Sequence, residues 1–122
     1  MSELRSYRDL EVWKKSIDLA EAIYRASSGF PREERFGLVS QLRRAAVSVP
    51  SNIAEGAART GPREFLQGLS IASGSLAELE TQVTLAMRLG MLEPAAASEL
   101  LGRAEEVSKM LAGLKRSLAS RL

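Results

Sequence analysis

Among its 122 residues the chain has no cysteine and no histidine. Without cysteine there is no disulfide, no thiolate zinc site and no thiol nucleophile. Without histidine, the usual general base near neutral pH and the commonest metal ligand are missing too. Aromatic residues make up only 5%: Tyr7, Trp13, Tyr24, Phe30, Phe36 and Phe65. They fall mostly at seam or turn positions, which does not indicate a base-stacking platform. Charge of one sign is also scarce, since 17 basic residues against 15 acidic ones leave +2. That is too small a balance to announce nucleic-acid binding by a single copy. No run approaches ~18 uncharged apolar residues, so no membrane span is expected. The opening Met1-Ser2-Glu3-Leu4-Arg5 has no apolar stretch of the secretory kind. A cytoplasmic location is expected, in keeping with the lack of cysteine.

These absences also bear on chemistry. Inward Glu-x-x-His pairs, which build di-metal sites in helical bundles, cannot be made here. Gly56 and Gly61 are not followed by the Gly-Lys-Ser/Thr of a phosphate loop. Glu78 with Glu80, and Glu105 with Glu106, lack the spacing to share an inward face and are expected in solvent. No metal, no cofactor and no catalysis are expected.

What the chain does have is alanine, leucine, serine, glutamate and arginine, mostly good helix formers, in a sequence that is 45% hydrophobic. Apolar residues recur at alternating steps of three and four in four segments. The first carries Leu10, Trp13, Ile17, Ala20 and Tyr24. The second carries Val39, Leu42, Ala46, Val49 and Ile53. The third runs Phe65, Leu69, Ala72, Leu76, Leu79, Val83, Ala86. The fourth runs Ala97, Leu100, Ala104, Val107, Leu111, Leu114, Leu118. Such steps keep one helical seam facing its neighbours, and no segment alternates as a strand would.

Gly29-Phe30-Pro31, Thr60-Gly61-Pro62 and Gly90 with Pro94 punctuate the segments. The pattern predicts one all-α domain with helices over 9–28, 32–59, 62–89 and 94–119. Connections this short make consecutive helices antiparallel, giving an up-down-up-down four-helix bundle. Pro50 interrupts the second repeat, and either a kinked helix or two shorter helices would account for it. The repeat stays in phase from Val49 to Ile53, which favours a kink.

Beside the second seam runs a polar stripe of Gln41, Arg44, Ser48, Asn52, Glu55 and Arg59, matched on the third helix by Ser75, Glu78 and Gln82. Hydrogen bonds and ion pairs between helices would explain it, as would a self-association surface or a ligand groove. Gly68 and Gly74, within the third helix, suggest close helix approach. Basic residues gather at Lys14 and Lys15, at Arg43 and Arg44, and at Arg59 and Arg63, with a further group from Lys109 to Arg121. The first six are candidate phosphate contacts for RNA or DNA.

Several runs are familiar: Asp9-Leu10-Glu11-Val12-Trp13-Lys14, then Gln41-Leu42-Arg43-Arg44-Ala45-Ala46, then Ser48-Val49-Pro50-Ser51-Asn52-Ile53-Ala54-Glu55-Gly56, and Ser75-Leu76-Ala77-Glu78-Leu79-Glu80-Thr81-Gln82. From about Tyr7 to Leu118 the chain resembles the four-helix-bundle family encoded in intervening sequences of bacterial 23S ribosomal RNA genes. The resemblance implies a bundle that assembles into a homopentameric ring or barrel. It also implies kinship with the accessory variability protein of diversity-generating retroelements, a basic pentamer associated with nucleic acid and a reverse transcriptase. For most of the family no biochemical activity is established. Carried over by position, the motif residues are Gln41, Arg44, Ser48, Pro50, Asn52, Glu55, Gly56, Ser75, Glu78 and Gln82. Two functional expectations follow. One is a non-catalytic homo-oligomer that binds RNA or DNA through basic patches. The other is a scaffold that holds a protein partner and has no nucleic-acid role.

Overall fold

The computed structural model describes residues 6–122. The charged opening segment Met1–Arg5 lies outside the described residues. The elements are α1 (Glu11–Ser27), α2 (Leu38–Ala58), α3 (Pro62–Arg88) and α4 (Pro94–Ala119), with short 3-10 turns at Tyr7–Asp9 and Arg32–Glu34. No strand occurs among the described residues. α1 packs on α2 and α4, and α3 packs on α2 and α4, so that each helix has two close neighbours. The chain is therefore the antiparallel four-helix bundle that the repeats predict.

The core repeats of α2, α3 and α4 lie where the pattern put them. Leu42, Ala46, Val49, Ile53, Leu69, Ala72, Leu76, Leu79, Val83, Ala97, Ala104, Val107 and Leu111 are all buried. Each fully buried leucine or valine stabilises the fold by roughly 1.5–3 kcal/mol. The first helix corrects its prediction. Ile17 and Tyr24, assigned to the seam, are 39% and 43% exposed. The buried line is Val12, Ser16, Leu19, Ala20, Ile23 and Ser27, which keeps Ala20 of the predicted seam. Two serines hide this seam from a search for apolar residues. Each donates its hydroxyl within the helix, Ser16 to the Trp13 carbonyl and Ser27 to the Ile23 carbonyl, both at 2.8 Å. A serine bonded in this way can be buried without stranding a polar group.

α2 begins six residues later than predicted. Pro31 opens the Arg32–Glu34 turn rather than the helix itself. The Glu34 carboxylate then accepts a hydrogen bond from the Leu38 N–H at 3.0 Å, satisfying one of the free donors at the start of α2. From Leu38 the helix runs unbroken through buried Pro50, which excludes two shorter helices. Pro62 and Pro94 sit in the first turns of α3 and α4, as predicted. α3 ends on Gly90, whose φ of +80° lies in the left-handed region. There the Met91 N–H reaches the Ala86 carbonyl at 2.9 Å and the Gly90 N–H reaches the Met87 carbonyl at 3.0 Å. Together these bonds complete a Schellman motif.

Candidate interaction surface

The polar stripes of α2 and α3 meet across the groove between those helices. Three rungs cross it, about 10–12 Å apart at seven or eight residues per rung. At one end Gly56 lies against Gly68. A Cβ placed on Gly68 would come within 2.7 Å of the Asn52 carbonyl oxygen and 2.9 Å of the Gly56 Cα. In the middle the Ser48 and Ser75 hydroxyls share a hydrogen bond of 2.8 Å. At the far end the Gln82 amide donates to the Gln41 side-chain oxygen at 3.4 Å. Asn52 adds two bonds along α2, to the Ser48 carbonyl at 2.8 Å and the Ser48 hydroxyl at 2.9 Å.

These contacts divide the stripe. Gln41, Ser48, Asn52, Ser75 and Gln82 bind one another within a single chain. Arg44, Glu55 and Glu78 face outward. Glu55 pairs with Arg59 at 3.5 Å. Arg44 and Glu78 line one groove with Gln41, Ala45 and Ser48, yet neither has an ion pair or hydrogen bond among the described residues.

The six candidate phosphate contacts do not form one face. Lys14 pairs with Glu11 at 3.4 Å, and Lys15 reaches across to Glu106 on α4 at 3.7 Å. Arg43 is used internally. Its guanidinium donates to the Ser27 hydroxyl at 2.9 Å and the Tyr24 carbonyl at 3.1 Å, and lies 4.5 Å from the centre of the Tyr24 ring. It therefore satisfies the free carbonyl end of α1 and ties α1 to α2. With Arg59 also paired, only Arg44 and Arg63 of the six have no partner among the described residues.

The acidic residues were expected in solvent, and Glu80 departs from that. It is half-buried on α3, and burial, followed by the neighbouring Glu105, raises its carboxyl above the ordinary range. Glu105 and Glu106 are exposed and pair with Lys109 and Lys15.

Most of the exposed apolar surface lies on α1, α2 and α3, with Leu89 and Leu122 exposed beyond the ends of α3 and α4. Ile17 and Tyr24 on α1, Phe36 ahead of α2, Val47 on α2, and Ile71 and Leu85 on α3 are all large and exposed, Phe36 at 88%. Among the described residues, α4 exposes no large apolar side chain. Its outer face carries instead the Glu99–Arg103 and Glu105–Lys109 pairs. Phe36 lies in the turn ahead of α2, one of the positions expected for the aromatics, whereas Tyr24, assigned to a seam, is exposed.

Residues 8–113 match the family model for the 23S rRNA-intervening sequence protein. The chain belongs to the 23S rRNA-intervening sequence protein family. Among solved structures it is similar to a protein of unknown function from the S23 ribosomal protein family of Bacteroides thetaiotaomicron. That similarity has a TM-score of 0.77 at 22% identity and covers 85% of this chain and 97% of the other. It supports the fold. No curated protein matches the chain.

For this member of the intervening-sequence family, several motif residues now have a physical role. Ser48 and Ser75 hydrogen-bond α2 to α3, Asn52 donates to Ser48 within α2, Pro50 is buried, and Gly56 permits the backbone approach to Gly68. Gly74, singled out with Gly68, has open space where a Cβ would stand and takes no part in the approach. The outward apolar residues were missed. Their signal was present as the seven-residue spacings Ile17–Tyr24 and Ile71–Glu78–Leu85, off the seams that bury leucine and alanine.

Proposed function

We propose that this protein is a non-catalytic subunit that associates with copies of itself through the side of the bundle formed by α1, α2 and α3. The exposed apolar surface of α1, α2 and α3 carries this reading. Six large apolar side chains are exposed on that side, and α4 presents ion pairs. Exposed apolar patches mark interaction sites on soluble proteins, and Tyr24, Phe36 and Val47 line one groove together. Aromatic residues and arginine, as in Tyr24, Phe36, Arg43 and Arg44, are enriched at the centres of such sites. The chain offers no histidine or cysteine for catalysis. The family resemblance makes a pentamer the expected number of copies, and the lack of cysteine fits a cytoplasmic location. Among the described residues, no helix is long and apolar enough to cross a membrane.

Sedimentation velocity over a dilution series tests the reading. The expected result is a particle of several subunits that dissociates on dilution. A single 13.3 kDa species at every concentration contradicts it.

Binding to RNA or DNA is the second reading, favoured by unpaired Arg44 and Arg63 and by a pI of about 9.3. Assembly would multiply the +2 charge of one chain. On this reading, affinity for a structured RNA falls steeply with salt and drops further in an Arg44→Ala, Arg63→Ala variant. No binding at low salt removes the nucleic-acid role and leaves the protein-partner scaffold.

A further inference from the structure

The groove between α1 and α2 differs in charge from its neighbours. The α1–α4 groove is lined by Asp18, Glu21 and Glu99 as well as by arginines, and those arginines are paired, Arg25 with Glu21 and Arg103 with Glu99. The groove between α2 and α3 sets Glu78 beside Arg44. The α1–α2 groove has a volume of about 650 Å³, and its lining holds Arg35, Arg43 and Arg44 with no carboxylate.

These cations are open to a ligand. The side chains of Arg35 and Arg44 have no ion pair or hydrogen bond among the described residues, and Arg35 stands over the Phe36 ring at 5.3 Å. Arg43 is anchored. Its Nε and one terminal nitrogen donate to Ser27, Ser28 and the Tyr24 carbonyl, which leaves the other terminal nitrogen free to donate. A guanidinium held in this way binds an anion with little further loss of side-chain freedom. The Tyr24 and Ser40 hydroxyls also reach this groove and have no partner among the described residues. Apolar surface lies beside these donors. Val39 packs against the core, and Val47 and Phe36 are 43% and 88% exposed. Ser40 and Val47 stand seven residues apart, so donors and apolar surface share about 10 Å of α2.

We propose that the α1–α2 groove binds an amphipathic anion, a small molecule with an apolar body and one carboxylate, sulfonate or phosphate head group. The head group lies against the arginines, and the body covers Val39, Val47 and the Phe36 ring. Small-molecule sites of this size commonly join apolar walls to a few convergent polar groups. Charge sets the preference. The lining offers a cation no carboxylate, and its arginines repel one. A neutral molecule of the same shape gains the apolar contact alone. The inference goes beyond the self-association proposed above and holds for any number of copies. A second copy lying over the groove competes with the ligand, so binding is measured at the lowest concentration of the sedimentation series.

Titration of the folded chain with the fluorescent dye anilinonaphthalene sulfonate, itself an aromatic anion, tests the site. The expected result is one dye per chain, displaced by octanoate and octyl sulfate and far more weakly by octanol. Val47 and Arg44 are exposed, so their replacement leaves the core intact, which circular dichroism verifies. Arg44→Glu and Val47→Asp are each expected to lower dye affinity at least about tenfold. Arg116→Glu, on α4 and outside the groove lining, is expected to leave it unchanged. The proposal is overturned if the wild type binds no dye, if octanol displaces the dye as readily as octanoate, or if the two groove variants bind as the wild type does. A chain that stays single at every concentration and still binds the dye in this pattern removes the self-association and supports the ligand site.

Discussion

Gln82 is only 6% exposed, and its amide oxygen has no hydrogen-bond partner among the described residues. Its nitrogen makes one long bond to Gln41, which sits at the solvent edge and loses little if that bond disappears. A buried acceptor without a donor is destabilising by about 1–3 kcal/mol. Gln82→Leu is therefore expected to raise unfolding stability by about 1 kcal/mol in urea titrations, whereas a loss of stability would show that the Gln41 bond outweighs the stranded oxygen. Glu80 gives a prediction in pH. Burial and Glu105 raise its carboxyl above the ordinary 4.5, so the folded state favours the protonated form. The group does not weaken the fold below that value, and it weakens the fold progressively as pH rises through and beyond it. Glu80→Gln should therefore unfold at higher denaturant than wild type near pH 7, and the two should converge at about pH 4 or below. A difference that is constant across this range would contradict the account.

Among the elements, the α2–α3 pair carries the clearest prediction. Gly68 faces backbone at 2.7–2.9 Å, and Gly74 faces open space on the same helix. Gly68→Ala must push α2 and α3 apart and should destabilise by about 2 kcal/mol. Gly74→Ala gains helix propensity without a clash and should stabilise by about 0.5–1 kcal/mol. Equal effects in thermal melts would mean that the two helices are not held at this distance. Three of the four helical seams were legible in the sequence because their buried side chains, Gln82 aside, are apolar. The seam of α1 was not, because Ser16 and Ser27 look polar until their bonds to the preceding turn are known. The start of α2 was also misplaced. Pro31 resembles a helix start, but the donor-satisfying carboxylate belongs to Glu34, four residues before Leu38. Both errors come from side chain-to-backbone bonds that composition does not reveal.

For the molecule as a whole, the sequence showed that polar stripes lie on α2 and α3 but not how they divide. Residues 41 and 82 meet only because the helices are antiparallel and in register, a tertiary fact. That register turns Gln41, Ser48, Ser75 and Gln82 toward one another and leaves Arg44 and Glu78 outside. The basic clusters were legible as clusters, but their pairing with Glu11, Glu55 and Glu106 and the use of Arg43 to cap α1 were not. The resulting surface has an apolar side with free charges of both signs and an ion-paired side on α4. Self-association is the central claim drawn from that asymmetry. Native mass spectrometry of the wild-type chain at micromolar concentration tests it most directly. The account predicts a closed particle at an integer multiple of 13.3 kDa, and a clean 13.3 kDa monomer would contradict it.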